Sequence, residues 1–379
     1  MSGVATLNDV CEFIVDCLHA TAPVQDQGFP LIRTPNIGKG RLLLDGVYRV
    51  SEDTYRTWTQ RATPQAGDLI LAREAPAGNV AVVKEGEDVC LGQRTVHLRP
   101  DKTKVDPDYL CYLLLTPSYQ GRLLAAETGV TAKHVNMKDI RRLKLDALPT
   151  IEQQRHMGQV IAAYDDLIEN NRRRIALLEQ SARLLYREWF VHLRFPGHEH
   201  VKVVDGVPEG WARRTVSELA TLAGGKQYES DKLTDAGAYP VFGGNGIQGY
   251  SQEKTHDDFV IAFGRVGAYC GSVHWSYEGA WINNNASSLV PHEYPELFLH
   301  HMLHCDFRNY RKGAAQPFIP NGVLSTICFI GPSGMLAAEF CEQVRFMRLQ
   351  QVILAKQNKK LAQARDLLLP RLMSGDLVV

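Results

Sequence analysis

"LEQSARLL" at residues 178–185 returns as "LAQARDLL" at 361–368, an offset of 183 residues. Each octapeptide lies in a run whose apolar residues recur by alternate steps of four and three, the period of a helix that buries one stripe along its whole length. From Met157 the steps reach Ile161, Tyr164, Ile168, Asn171, Ile175, Leu178, Ala182, Leu185 and Trp189. With the same offset the second run gives Phe340, Val344, Met347, Gln351, Leu354, Asn358, Leu361, Arg365, Leu368 and Leu372. Thr150 and Gln153 have capping-box spacing at the start of the first helix, Pro196-Gly197 stops it, and Gly375 closes the second. A helix from Thr150 to Phe190 runs roughly 60 Å at about 1.5 Å per residue. No such helix stands alone with a bare apolar stripe. The economical partner is the other helix, parallel or antiparallel, with Asn171 and Asn358 helping to fix the register. Packing of each helix on its own domain, or dimerisation between chains, competes with this.

The segments between the helices repeat too. "FPLIRTPNIGKG" at 29–40 faces "YPVFGGNGIQGY" at 239–250, "GDLILAREAPAGNVAVV" at 67–83 faces "DDFVIAFGRVGAYCGSV" at 257–273, and "DYLCYLLL" at 108–115 faces "ELFLHHML" at 296–303. Farther along, "TAKHVN" at 131–136 faces "QPFIPN" at 316–321. Short β-branched runs such as "LILA", "VAVV", "FVIA" and "TVHL", broken by glycine and asparagine, read as strands with tight turns, and "DYLCYLLLTPSYQGRLL" reads as a helix. The expected fold is α+β: a globular domain at 1–149, a long helix at 150–193, a linker and second domain at 194–335, and a second long helix with its tail at 336–379. The two helices pair as an intramolecular coiled coil.

Eight cysteines without a C-x-x-C spacing argue for buried free thiols instead of a disulfide or zinc framework. The N-terminal stretch lacks a signal-peptide pattern and no apolar run reaches the ~18 residues of a membrane helix, so the expectation is a cytoplasmic protein without a membrane partner. Formal net charge is zero, which excludes a bulk polycation and leaves nucleic-acid binding to local patches. No phosphate loop is present, since "NIGKGR" lacks the hydroxyl residue that would meet magnesium, and no asparagine or aspartate precedes Pro-Pro and an aromatic.

The order of domain, helix, domain, helix, with "GDLILARE...GNVAVV", "LPTIEQQR", "VPEGWARRTVSEL", "YPVFGGNGIQGY" and "LLLPRLMSGDL", resembles the specificity (S) subunit of type I restriction-modification systems, each globular unit being similar to that family's target recognition domain. The resemblance spans almost the whole chain. It implies a non-catalytic subunit that reads a bipartite, asymmetric site on double-stranded DNA, one half per domain, with the helix pair as a ruler. It further implies docking of two methyltransferase subunits and of restriction/translocase subunits. The chain is then expected to hold no cofactor, with S-adenosylmethionine, ATP and magnesium on the partners. Two rivals are a nuclease or methyltransferase in its own right, and a coiled-coil adaptor joining two protein-binding domains without sequence-specific DNA binding.

Base edges are read by arginine, lysine, asparagine and glutamine, and phosphates by separate basic side chains. The candidates in the first domain are Arg73, just after a predicted strand, and Lys133, His134, Asn136, Lys138, Arg141 and Arg142. In the second domain they are Arg265, Asn283, Asn284, Asn285, Gln316 and Asn321, with Arg308, Arg311 and Lys312 for phosphates. Turn formation by the asparagines and plain solvation of the cations are the competing readings. Gly243, Gly244 and Gly246 suit tight turns better than a phosphate cradle. His300, His301, His304 and Cys305 have helical spacing that suits zinc, yet the matching "DYLCYLLL" has no histidine, so a metal is not expected. Arg172, Arg173 and Arg174 read as a solvated face, or as a surface for DNA backbone or a partner. Two departures break the repeat: Ser333 has no Glu or Gln three residues on to cap the second helix, and Arg365 stands where the first seam has Ala182.

Overall fold

The computed structural model describes residues 5–74, 76–125, 127–128, 134–313 and 316–377. The chain divides into two compact units, one holding the residues up to Arg172 and those from Ala355 onward, the other Arg173–Leu354.

In the first unit a five-stranded sheet runs in the order Cys11–Asp16, Thr95–Pro100, Leu69–Ala72, Val80–Val82, Gly40–Arg41, antiparallel except for the last pair. All four residues of Leu69–Ala72 are buried because both faces of this central strand are covered. Successive side chains point to opposite faces. Leu69 and Leu71 join Leu110, Leu113 and Leu114 of the helix Pro107–Leu115, and Ile70 and Ala72 pack with Ile32, Ile37, Val83 and Leu91. Burying each leucine or isoleucine contributes about 1.5–3 kcal/mol. A smaller sheet of Arg49–Val50, Phe29–Ile32 and Cys90–Leu91 borders the second of these cores.

The second unit repeats the plan. Its sheet runs Ala220–Gly224, Ala286–Pro291, Val260–Gly264, Val273–Ser276. Val260–Gly264 is again wholly buried, with Ile261 and Phe263 facing the helix-side core and Val260 and Ala262 the other. The helix Pro295–His304 takes the place of Pro107–Leu115, and Gly246–Ser251, Tyr239–Gly243 and Trp281–Ile282 form the smaller sheet.

The long helices are Ile151–Tyr186, 36 residues, and Met335–Met373, 39 residues. At the first start, Thr150 N–H donates to Gln153 Oε1 at 3.1 Å while Gln153 N–H donates to Thr150 Oγ1 at 3.3 Å, the reciprocal cap that this sequence allows. The second start has no such box; Gly334 N–H donates to the Tyr294 hydroxyl at 3.0 Å instead. Gly375, at φ 77°, ends the second helix with its N–H on Leu372 O at 3.1 Å, the left-handed close that glycine adopts without a Cβ penalty.

The helices pack together antiparallel. In the first unit Asn171 Nδ2 donates to Asn358 Oδ1 at 3.0 Å and Asn358 Nδ2 to Ile168 O at 3.1 Å, while Arg365 forms an ion pair with Asp165. Leu372 and Ile161 pack with Tyr112 of the first domain. In the second unit Gln351 Nε2 reaches Ile175 O at 3.5 Å, and Ala182, Tyr186, Trp189, Phe190, Ala337, Phe340 and Val344 form an aromatic-rich cluster. Along the two seams Met157, Ile161, Ile168, Asn171, Val344, Leu354 and Leu372 are buried; Tyr164, Ile175, Leu178, Leu185, Met347, Asn358, Leu361 and Leu368 are half-buried. Among the described residues no helix is long and apolar enough to cross a membrane.

Candidate nucleic-acid interface

In the first domain the central strand Leu69–Ala72 delivers Arg73 to the sheet's edge, where three segments meet. Arg73 N–H donates to Arg94 O at 2.9 Å, Val135 N–H donates to Arg73 O at 3.1 Å, and Arg73 Nε returns a bond to Val135 O at 3.0 Å. Next to it Glu74 makes a β-bridge with His134 and an ion pair with Arg94, Oε2 to Nε 3.0 Å. Asn136 precedes the short helix Met137–Arg141, and its Nδ2 lies 3.4 Å from Asp139 Oδ2. Lys138 and Arg142 are exposed. Arg141 is spent on the protein, its Nε and Nη2 donating to Ile14 O at 3.2 and 2.7 Å. Lys133 lies outside the described residues. Arg73, His134 and Asn136 are thus brought together at one rim.

The second domain builds the same frame from Arg265, which follows Val260–Gly264. Arg265 N–H donates to Asn285 O at 3.2 Å, Ile319 N–H donates to Arg265 O at 2.9 Å, and Arg265 Nη2 donates to Asn284 O at 3.1 Å. Asn284 and Asn285 are exposed, whereas Asn283 is 9% exposed and turned to internal work. Asn283 Oδ1 accepts from Tyr228 N and Asn284 N, and its Nδ2 donates to Gln248 Oε1 at 2.8 Å. Asn321 Oδ1 accepts from Ser287 Oγ at 2.6 Å. Arg308 is clamped by both Asp306 oxygens at 2.8 Å, and Arg311 donates to Cys270 O. Lys312 exchanges backbone hydrogen bonds with Phe318, and Gln316 is exposed. The domain therefore gathers Arg265, Asn284 and Asn285 on one edge, with Lys312 and Gln316 on a neighbouring turn.

Superposing the two hydrogen-bond frames pairs Arg73 with Arg265 and Arg94 with Asn285. Gln93 then matches Asn284, and buried Asn283 matches Gly92. The sequence reading passes over Gln93 and Arg94; their signal is position alone, two residues ahead of the strand Thr95–Pro100 as Asn284 and Asn285 stand ahead of Ala286–Pro291. His300, His301 and His304 pack around Tyr186: His301 Nδ1 shares a 2.8 Å hydrogen bond with the tyrosine hydroxyl, and the rings of Tyr186 and His304 stack at 4.3 Å. Burial pulls the pKa of both His300 and His301 down to about 3, so these rings are neutral core residues at physiological pH.

A chain with two β-rich domains of one frame, each leading into a long helix and the helices packed together, is a duplicated module that presents two related rims of side chains. The family model for the type I restriction modification DNA specificity domain matches residues 2–180 and 208–333. The chain is 22% identical over 366 residues, 88% of this chain and 83% of the relative, to the type I restriction enzyme MjaIX specificity subunit of Methanocaldococcus jannaschii. It is 29% identical over 127 residues, 32% of each chain, to the EcoprrI specificity subunit of Escherichia coli. In fold it is similar to the S subunit of a type I restriction-modification system from M. genitalium, with a TM-score of 0.64, 16% identity, and 97% of this chain and 95% of that one covered. The chain belongs to this family, the non-catalytic DNA specificity subunits of type I restriction-modification complexes.

Proposed function

We propose that each domain reads one short block of a split, asymmetric target on double-stranded DNA, and that the helix pair sets the gap between the blocks. The observation that carries this reading is the shared frame with unlike side chains: Arg73 with Gln93 and Arg94 in one domain, Arg265 with Asn284 and Asn285 in the other. A frame kept while the base-reading residue types change is the pattern of two readers with two sequences. A 36-residue helix is about 54 Å long, ample for half-sites about 34 Å apart on one face of the duplex. Among the sequence candidates, exposed Lys138, Arg142, Lys312 and Gln316 suit phosphate or edge contacts, whereas Asn283, Arg141 and Arg311 hold the domains' own backbone.

On this reading the domains at 1–149 and 194–335 are the target recognition domains, and the segments 150–193 and 336–379 receive two methyltransferase subunits in the cytoplasm. S-adenosylmethionine sits on those subunits; ATP and magnesium serve the restriction subunits. The test is a genome-wide map of adenine methylation with and without the gene. Loss of one split motif on deletion supports the reading; an unchanged map, joined to absence of DNA binding by the reconstituted complex at low salt, favours a protein adaptor instead.

A further inference from the structure

Arg94 is one of four described non-glycine residues with positive φ, at 68°. A left-handed backbone strains an L-residue in a way that glycine avoids. Such strain persists where the side chain is needed. Its guanidinium meets Glu74 Oε2 through Nε at 3.0 Å, with the Arg94 side chain 56% exposed and that of Glu74 20%. The carboxylate anchors the guanidinium at its Nε end; the two terminal nitrogens are the ones left to an outside acceptor. Gln93 and Arg94 also line a cleft of about 570 Å³ together with Arg33 and Tyr48, and Arg33 lies 4.3 Å over the Tyr48 ring. Arg94 joins this cleft to the rim, since its carbonyl accepts from Arg73 N–H at 2.9 Å.

We infer that Arg94, buttressed by Glu74, is a base-reading residue of the first domain and takes a guanine through its O6 and N7 in the major groove, the place Asn285 holds in the second domain. This rests on the functional reading above. A guanidinium anchored at its Nε end, with both terminal nitrogens left over, suits bidentate contact with guanine, whereas phosphate contacts come well from flexible, unrestrained cations. The two residue types also differ in the base they match: arginine pairs with guanine, asparagine with adenine.

The test uses the complex with its methyltransferase, carrying Arg94→Lys, Arg94→Asn or Arg94→Gly. Methylated-motif mapping is expected to show one guanine of a single half-site becoming degenerate while every other specified base is kept. In competition binding, preference for that guanine over other bases, roughly 10- to 100-fold for a bidentate contact, falls to near one. Arg94→Gly relieves the backbone, so its complex melts no earlier than the parent while still losing the guanine preference. Glu74→Gln weakens that preference with Arg94 intact. A motif and preference unchanged in Arg94→Lys and Arg94→Gly overturn the inference. Uniform weakening on all sequences with a salt slope lower by about one also overturns it, by making Arg94 a phosphate contact. A parent complex that methylates no split motif instead strikes the functional reading on which this one rests.

Discussion

Asp165 and Arg348 stand at matching positions of the two long helices, 183 residues apart, and their surroundings are opposites. Asp165, 6% exposed, accepts from the Tyr112 hydroxyl at 2.7 Å and pairs with Arg365, while Arg41 Nη1 donates to its backbone oxygen at 3.3 Å. Every group there is answered. Arg348, 4% exposed, faces Glu296 at 3.9 Å and lies 4.9 Å over Trp275. Its Nε and Nη2, Glu296 Oε2 and both ring nitrogens of His300 are buried without a hydrogen-bond partner among the described residues. His300 sits sixth in its helix, as Tyr112 does in the first domain. Where the first helix pair closes with an ion pair, the second has Ala182 opposite that role and an aromatic cluster beside it. One end is held by completed polar bonds and the other by aromatic packing around polar groups only partly bonded, Arg348 Nη1 to Gln351 Oε1 at 3.1 Å and the Tyr277 hydroxyl to Glu296 Oε1 at 2.6 Å, so the same kind of substitution should act differently at each.

Asp165→Ala should cost the most: it strands the Tyr112 hydroxyl and takes from Arg365 one of its two carboxylates, leaving Asp366 Oδ1 at 2.7 and 2.9 Å. A loss of about 2–3 kcal/mol is expected for a buried hydroxyl and one side of a half-buried cation left without an acceptor, read as a lower denaturant midpoint for the first unit. A midpoint shift under 1 kcal/mol would show that the network is solvated and the contrast empty.

Acid should also separate the halves. Asp68, 4% exposed at its side chain, accepts from Arg99 Nε and Nη2 at 2.8 and 2.7 Å and is bound by His97 at 2.6 Å. Burial alone would raise its pKa, but these bonds hold it at about 2, below the ordinary 3.8. A depressed folded pKa gives stability that is complete above the unfolded value and disappears as pH falls through the folded one. Between pH 5 and pH 2 the first domain should lose roughly 2 kcal/mol from this group. By the strand pairing, Val260, Ser288 and Val290 occupy the matching places in the second domain, whose acid response comes instead from His300 and His301, kept neutral by burial down to about 3 and so costing stability as pH falls below the ordinary histidine value of 6.5. Amide exchange should therefore loosen Val260–Gly264 first, as pH falls below about 6, and Leu69–Ala72 only as it falls from about 5 towards 2; loosening of both strands over one pH range would remove the difference.

Replacing Asn171 and Asn358 together by leucine should raise helix-pair stability by roughly 1 kcal/mol while loosening its register, since a polar pair in a seam specifies alignment at a cost in stability. Spin labels across the helices should then report more than one separation; a single unchanged distance would mean that the flanking domains fix the register unaided. The smallest effect belongs to Arg348→Met combined with Glu296→Gln, which removes both charges and keeps an acceptor for the Tyr277 hydroxyl; it is expected within about 1 kcal/mol of the parent, because replacing both members of a poorly paired buried ion pair is often neutral. A loss above 3 kcal/mol would make the second end as dependent on charge as the first.

Much of the architecture was legible because it is periodic. Two seam-bearing helices, two copies of one α+β plan and the Thr150–Gln153 cap each leave a spacing in the sequence. The direction of the pairing leaves none, since a heptad reads alike both ways; it is set by contacts such as Asp165 with Arg365, which the stepping rule passes over because Asp165 stands beside the seam position Tyr164. The rim was harder to read. Runs of asparagine drew the eye to Asn283, which the fold turns inward, while Arg94 looked like any charged residue before a strand. Its left-handed backbone and its Glu74 partner exist only in three dimensions.

The first unit takes Leu372, 1% exposed, into a cluster with Tyr112 and Ile161, and Met373 packs against the core between the five-stranded sheet and the helix Pro107–Leu115. These residues leave the ribosome only after Arg173–Leu354, the whole second unit, has been made. At about 5–20 residues per second, the apolar face on Tyr112 and Ile161 waits roughly 10 to 40 s for its cover. The domain begun first is therefore finished last. A message cut anywhere inside the second unit yields a first domain that possesses all its strands and still shows cellular quality control an open, sticky face.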